Sequence, residues 1–353
     1  MTDSAPLQQH EPMALPERSF GRVARSVFGY SLLVALMFLT PLVVFVPAVM
    51  FACGIKNGKV PAIITVALAS AIALFLDVET ARFAGASAAD AMTGYSYLLA
   101  LVVAVCVPAI AVLPLVERGE TFGRVLVTAV IAGMTGLAAT EAAMQTGYGF
   151  SPYQEQVVRA HQTAASVVAA YEKAGVPAKG VSVMKQWLDI GVTCLPAFIV
   201  IDIIVVFALS LVMFGRLRAW RDFVRRNETV AADHGPAAAT YLFRNLTLPD
   251  WLLFAFIAGG ITPLASGMLQ KVAGNILVVV AFLYLLQGLA IFRSLLVAVG
   301  AGFGGVMFGY FLLGLLTITG ISPFLLSIAG LFDSFFDFRH FRRKDHSDES
   351  HPH

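Results

Sequence analysis

Long stretches of this chain run without a single charged residue, among them 95–116, 275–292 and 294–332. A hydrocarbon core about 30 Å thick is crossed by about 20 apolar residues, each rising 1.5 Å in a helix. Inside that core only helices or closed barrels satisfy the backbone. Barrel strands alternate polar and apolar residues, and these runs do not alternate. The expected fold class is therefore all-α, a polytopic helical membrane bundle. Only 13% of the 353 residues are charged and 58% are hydrophobic, against roughly 25% and 45–50% in soluble domains.

The charges that remain orient the spans, because basic residues collect on the cytoplasmic side. Residues 216–226 carry five arginines after the span 191–215. Arg339, Arg342, Arg343 and Lys344 follow the last apolar helix, and Arg18, Arg22 and Arg25 precede the first. Both termini are thus expected in the cytoplasm. Working back from residue 216, spans 122–144, 95–116 and 60–76 alternate, leaving 145–190 and the acidic loop 77–94 outside. Lys56 and Lys59 then lie inside, like the N-terminus. A single crossing at 28–54 would separate them, so Pro41 and Pro47 are read as breaking this stretch into a short helical hairpin; the alternative is one long kinked helix with the N-terminus on the other side. Downstream, 250–269, 275–292, 294–317 and a last helix led by Ser322-Pro323 after Gly320 complete the bundle. The expectation is about eight full spans plus the N-terminal hairpin, ten helices in all.

The organisation follows from these bounds. Residues 1–26 form a cytoplasmic tail. Residues 27–215 form a six-helix membrane region that includes the outer segment 145–190. A basic helix and linker occupy 216–249, a four-helix region 250–338, and a basic tail 339–353. In the outer segment, Ser151-Pro152-Tyr153-Gln154 has the form of a capping box with proline at the first helical position. Gly175 and Pro177 end that helix. Val157, Val158, Ala164, Val168 and Tyr171 give it an apolar stripe, and Trp187 suits a membrane-interface anchor.

No catalytic motif of the protease, hydrolase or nucleotide-binding kinds is present, so no enzyme activity and no cofactor are expected. Cys53, Cys106 and Cys194 lie in apolar runs far apart and read as small packing residues. No histidine falls in a span, and a net charge of +2 gives no basis for binding nucleic acid. The informative residues are the polar ones inside spans: Asp202, Glu141, Asn275, Tyr284 and Gln287. An ionisable group at mid-membrane costs about 2.5–3.5 kcal/mol even on the insertion scale. These five are the expected substrate-binding residues. Asp202 is expected to face the bundle interior in protonated form, beside a kink at Pro196, or to bond Gln287 or Tyr284. In 300–309, Gly300/Gly304 and Gly305/Gly309 have the spacing of close helix packing.

FRNLTLPDWLL (243–253), Asn275, YLLQGLAIF (284–292) and SPFLLSIAGLFDSFFDFR (322–339) together resemble the YybS-like family of uncharacterised bacterial membrane proteins. The hairpin, GIKNGK (54–59) and the small-residue helix after it are similar to substrate-binding subunits of energy-coupling-factor transporters. The first resemblance implies a bacterial inner-membrane protein of no settled activity. The second implies a solute-binding or transport subunit without its own ATPase, partnered by energising subunits and a small-molecule solute. The alternative is a scaffold or regulator that recruits cytoplasmic proteins through 216–249.

Topology is tested by cysteine labelling in intact cells on a cysteine-free background. Gln162→Cys is expected to react with an impermeant reagent and Asn227→Cys is not; the reverse pattern inverts the assignment.

Overall fold

The computed structural model describes residues 20–83, 85, 88–226, 243, 246–318 and 321–336. The chain runs through α1 (Phe20–Phe38), a 3-10 turn (Pro41–Phe45), α2 (Val46–Asn57), α3 (Lys59–Phe83), α4 (Ala88–Arg118) and α5 (Phe122–Tyr148). It continues through α6 (Pro152–Lys173), α7 (Ala178–Thr193), α8 (Leu195–Arg226), α9 (Leu252–Gly259) and a second 3-10 turn (Thr262–Leu264). It ends in α10 (Gly267–Ala298), α11 (Phe303–Ile318) and α12 (Ile321–Phe336). No strand occurs among the described residues. The linker 227–240, Gly320, residues 1–19 and the C-terminal tail 339–353 lie outside them, while 20–26 of the expected N-terminal tail belong to α1.

Among the described residues, five helices are long and apolar enough to cross a membrane: Lys59–Thr80, Gly94–Arg118, Phe122–Tyr148, Leu195–Leu217 and Gly267–Ala298. The bent pair Gly304–Thr317 and Ile321–Phe336, turned by 115°, makes a sixth if it counts as one span. The expected eight full spans are corrected on this point. Stretch 250–269 is equally apolar, but its helix α9 has eight residues, about 12 Å of rise. It stops at the turn containing Pro263. Gly300, at φ +78°, lies just past the end of α10. Residues 294–298 thus belong to α10, and α11 has only 16 residues.

The N-terminal stretch folds back on itself. Asn57 Nδ2 donates to Ser26 Oγ at 3.0 Å, so the end of α2 lies beside the start of α1. Thr40 in extended conformation and Pro41 set the break. The 3-10 turn between the helices is held by Ser210 of α8, whose hydroxyl donates to the Val44 carbonyl at 2.7 Å. Ser210 lies seven residues before Leu217, so the hairpin tip sits about 11 Å of helix from that end.

The core gathers where α2, α4, α5 and α8 meet. Phe51 packs on Phe207 and Phe214 with ring centroids 6.5 and 5.8 Å apart. Gly54 admits the Leu113 side chain, and Gly133 takes Ile203 and Pro108. Cys53 and Cys106 are buried here. In each of these contacts at least one partner is a side chain.

At the crossing of α10 and α12 the backbones themselves meet. A Cβ on Gly288 would overlap the Leu326 carbonyl oxygen, and one on Gly330 would overlap the Tyr284 carbonyl oxygen. Ser327 Oγ donates to the Ala281 carbonyl at 3.0 Å across the same contact. Small residues draw membrane helices together in this way. In contrast, the glycines at 302 and 304 have nothing within 4 Å of a built Cβ, and Gly309 meets only Leu296 and Phe292. The closest helix approach is therefore at Gly288 and Gly330 rather than at the small-residue pairs of 300–309.

Gly288→Ala and Gly330→Ala are each expected to destabilise the fold by on the order of 1–3 kcal/mol through overpacking. The check is a lower temperature midpoint for loss of monodisperse protein in detergent, with Gly304→Ala unchanged.

Candidate functional site

Two ends of the bundle can be distinguished. Arg25, Lys56, Lys59, Arg118, Arg124 and Arg216 lie at one, near the starts of α1, α3 and α5. The other holds the α6–α7 hairpin. Ser151 caps α6, its hydroxyl accepting from the Gln154 N–H at 3.0 Å. Gly175, at φ +77°, turns the chain toward α7.

Glu141, expected to bind substrate, anchors this hairpin. Its carboxylate accepts from the Ser151 hydroxyl and from the Tyr153 N–H, the latter at 3.0 Å. A carboxylate at a helix N-terminus also meets the positive end of the helix dipole. The second tie is Arg159, whose guanidinium sits 5.3 Å from the Tyr97 ring centroid and bonds Glu155 at 3.0 Å. Val157, Ala164 and Val168 are half-buried, but Val158 and Tyr171 are exposed. The apolar stripe of α6 is thus narrower than expected. Trp187 is exposed on α7.

Between α6 and α7 lies a groove of about 670 Å³. Val168, Val181 and Leu188 contribute its apolar lining, and Glu172, Lys185 and Asp189 bring charges of both signs. Among the described residues the ion pairs are Lys59–Glu117, Arg82–Glu79, Arg124–Glu120 and Arg159–Glu155. None of them engages the groove charges. The sequence reading missed this site because its residues belong to two helices, each only an amphipathic pattern on its own.

Asn275 closes a helix break. Helix α7 ends at Thr193 and α8 begins at Leu195, with Pro196 in its first turn. A continuous helix would bond the Ala197 N–H to the Thr193 carbonyl. Here Asn275 lies between them, accepting from Ala197 N–H at 2.9 Å and donating to Thr193 O at 3.1 Å. The helix is thus interrupted at Cys194, just before Pro196, and a side chain of α10 bridges the missing bond.

Tyr284 and Gln287 do come together, one turn apart on α10 and both fully buried. Gln287 Oε1 accepts from the Leu248 N–H at 3.3 Å, and Nε2 donates to Asp333 Oδ2 at 3.1 Å. Tyr284 stacks edge-on against Phe256 at 5.9 Å. Asp333, quoted above only within a family-like motif, is the acid that belongs to this cluster. Ser322, expected to lead the last helix, bridges the α11–α12 bend. It lies 2.9 Å from Thr317 Oγ1 and donates to Leu313 O at 3.3 Å.

Asp202 corrects the sequence reading most sharply. It is exposed, between the buried Val200 and Ile203–Ile204. It makes no hydrogen bond or ion pair with any described residue, and Gln287 and Tyr284 have other partners. The cause is helical phase. Val200, Ile203, Ile204, Phe207 and Leu211 form the face buried against the bundle. Phe198, Asp202 and Leu209 fall on the opposite face. The five expected site residues therefore form no common pocket.

No protein-family model, curated protein or solved structure matches the chain.

Asn275→Leu removes both bonds at the α7–α8 junction. Each backbone group left unpaired costs about 1–3 kcal/mol, so a clear fall in thermal midpoint is expected. Ile276→Leu, on the exposed neighbour, should leave the midpoint unchanged.

Proposed function

We propose that this chain is a solute-binding or transport-related membrane subunit without an ATPase of its own. On this reading the bundle sits in a bacterial inner membrane with both termini cytoplasmic, as in the YybS-like proteins it resembles. The observation that carries the proposal is the groove between α6 and α7. Its volume of about 670 Å³ falls within the usual ligand-pocket range of roughly 300–1,000 Å³. Its apolar lining and unpaired charges of both signs suit a small solute with an apolar body and a zwitterionic or mixed-charge head. Basic residues at the opposite end support an outward-facing groove.

The test is a native mass spectrum of protein purified in mild detergent. A bound metabolite is expected on the wild type and absent from Val168→Trp, which fills the groove. Empty wild type, or equal occupancy in both monodisperse proteins, counts against the reading.

One observation favours the alternative of a scaffold recruiting cytoplasmic proteins through 216–249. Helix α8 continues unbroken from Leu217 to Arg226, projecting about 14 Å past the span with Arg218, Arg221, Arg225 and Arg226 on it. Soluble proteins that co-purify with the full chain and are lost on deleting 227–240 would favour it.

A further inference from the structure

We propose that the Asp202 face of α8 docks a transmembrane helix of another membrane protein, one presenting a lysine or arginine at matching depth. This goes beyond the solute-binding reading and rests on a different part of the molecule. Asp202 lies seven residues into the span Leu195–Leu217, about 11 Å of rise from its start and 6 Å from its middle. At that depth an exposed face meets lipid, and a carboxyl group there has no water to solvate it. The face is otherwise apolar, with Phe198 one turn before and Leu209 two turns after. Such a stripe is a helix-packing surface with one acidic group at its centre.

Charge complementarity selects the occupant. A second copy would have to supply a cation at this depth, and the spanning helices described carry none there. The Asn275–Ala197 bond places α10 alongside α8. Both helices run from the hairpin end toward the basic end, so Asp202 is level with about residue 280 of α10. Lys271 and Arg293 lie about 14 and 20 Å from that level along the helix. Lys59, Arg82, Arg118, Arg124 and Arg216 sit near the ends of their spans. A two-fold contact of this face with itself would set Asp202 against Asp202 or apolar groups. A heterologous helix with a basic residue instead gives an ion pair inside hydrocarbon.

The test uses the full chain co-expressed with a tagged polyleucine transmembrane helix bearing one central arginine. The same helix without arginine is the control. The arginine helix is expected to co-purify with wild type and with Asp202→Glu, and roughly tenfold less with Asp202→Leu. The plain polyleucine helix should not distinguish the three. Monodisperse elution of Asp202→Leu, whose substitution faces outward, shows that the loss is not misfolding. Equal capture by wild type and Asp202→Leu, or no capture of the arginine helix, overturns the proposal. So does a disulfide-linked homodimer formed in membranes by Leu209→Cys on a cysteine-free background, which would assign this face to a second copy. Solute occupancy of the groove is read separately by native mass spectrometry, so failure of either proposal leaves the other standing.

Discussion

Broken helices inside an apolar medium leave peptide groups that neither water nor lipid can satisfy. This chain breaks its helices repeatedly, and several of its polar side chains are placed where those breaks occur. Ser210 bonds the Val44 carbonyl at the hairpin tip. Asn275 stands in for a missing helical bond between Thr193 and Ala197. Gln287 accepts from the Leu248 N–H, where the chain is not helical. Ser322 ties the bend between α11 and α12 back to Leu313. Each partner is distant in sequence or across a bend, so the breaks and the tertiary packing depend on one another.

Helix α10 carries much of this burden. It supplies Asn275 to the α7–α8 junction and Gln287 to the segment before α9. It also offers Gly288 and the Tyr284 carbonyl to the backbone of α12. A helix fixed at so many points along its length makes a rigid frame. The α6–α7 hairpin is held differently. Its described ties to the body of the bundle are the Glu141 carboxylate at the start of α6, Arg159 over Tyr97 and the Asn275 bond to Thr193 at the end of α7. The groove therefore sits on an element attached mainly near one end, while the spans beneath it are clamped.

Much of the frame was legible in the sequence. Apolar runs of span length, with few or no charges, marked five helices, because the thickness of the bilayer sets a length that composition can meet. Pro41 and the lysines at 56 and 59 marked the N-terminal break. The capping sequence at Ser151 and the stop at Gly175 marked α6. Other boundaries were not legible, since apolar composition does not distinguish a full span from a short buried helix. Stretches 250–269 and 294–317 are almost free of charge, as the helices able to cross are. What divides them is local, the proline turn at 262–264 and the left-handed glycine at 300. The polar residues were visible as well, but their partners were not. An asparagine that serves a backbone break 78 residues away looks, in sequence, like an asparagine waiting for a ligand.

Facing is the property that the sequence conceals most completely. In a soluble protein the buried face of a helix is apolar and the other face is polar, so the phase can be read directly. Helix α8 is apolar on every side through its span, because lipid and protein interior favour the same side chains. Ile199, Val200, Ile201, Ile203 and Ile204 surround Asp202 with no hint of which of them touch the bundle. A single acid in such a run then fits an inward or an outward position equally well. Only packing decides, and here Ile203, Ile204 and Phe207 are buried, which turns Asp202 outward. The other polar groups named above bond neighbouring backbone or side chains. Asp202 bonds no described residue, and the partner helix proposed above would supply what the bundle does not.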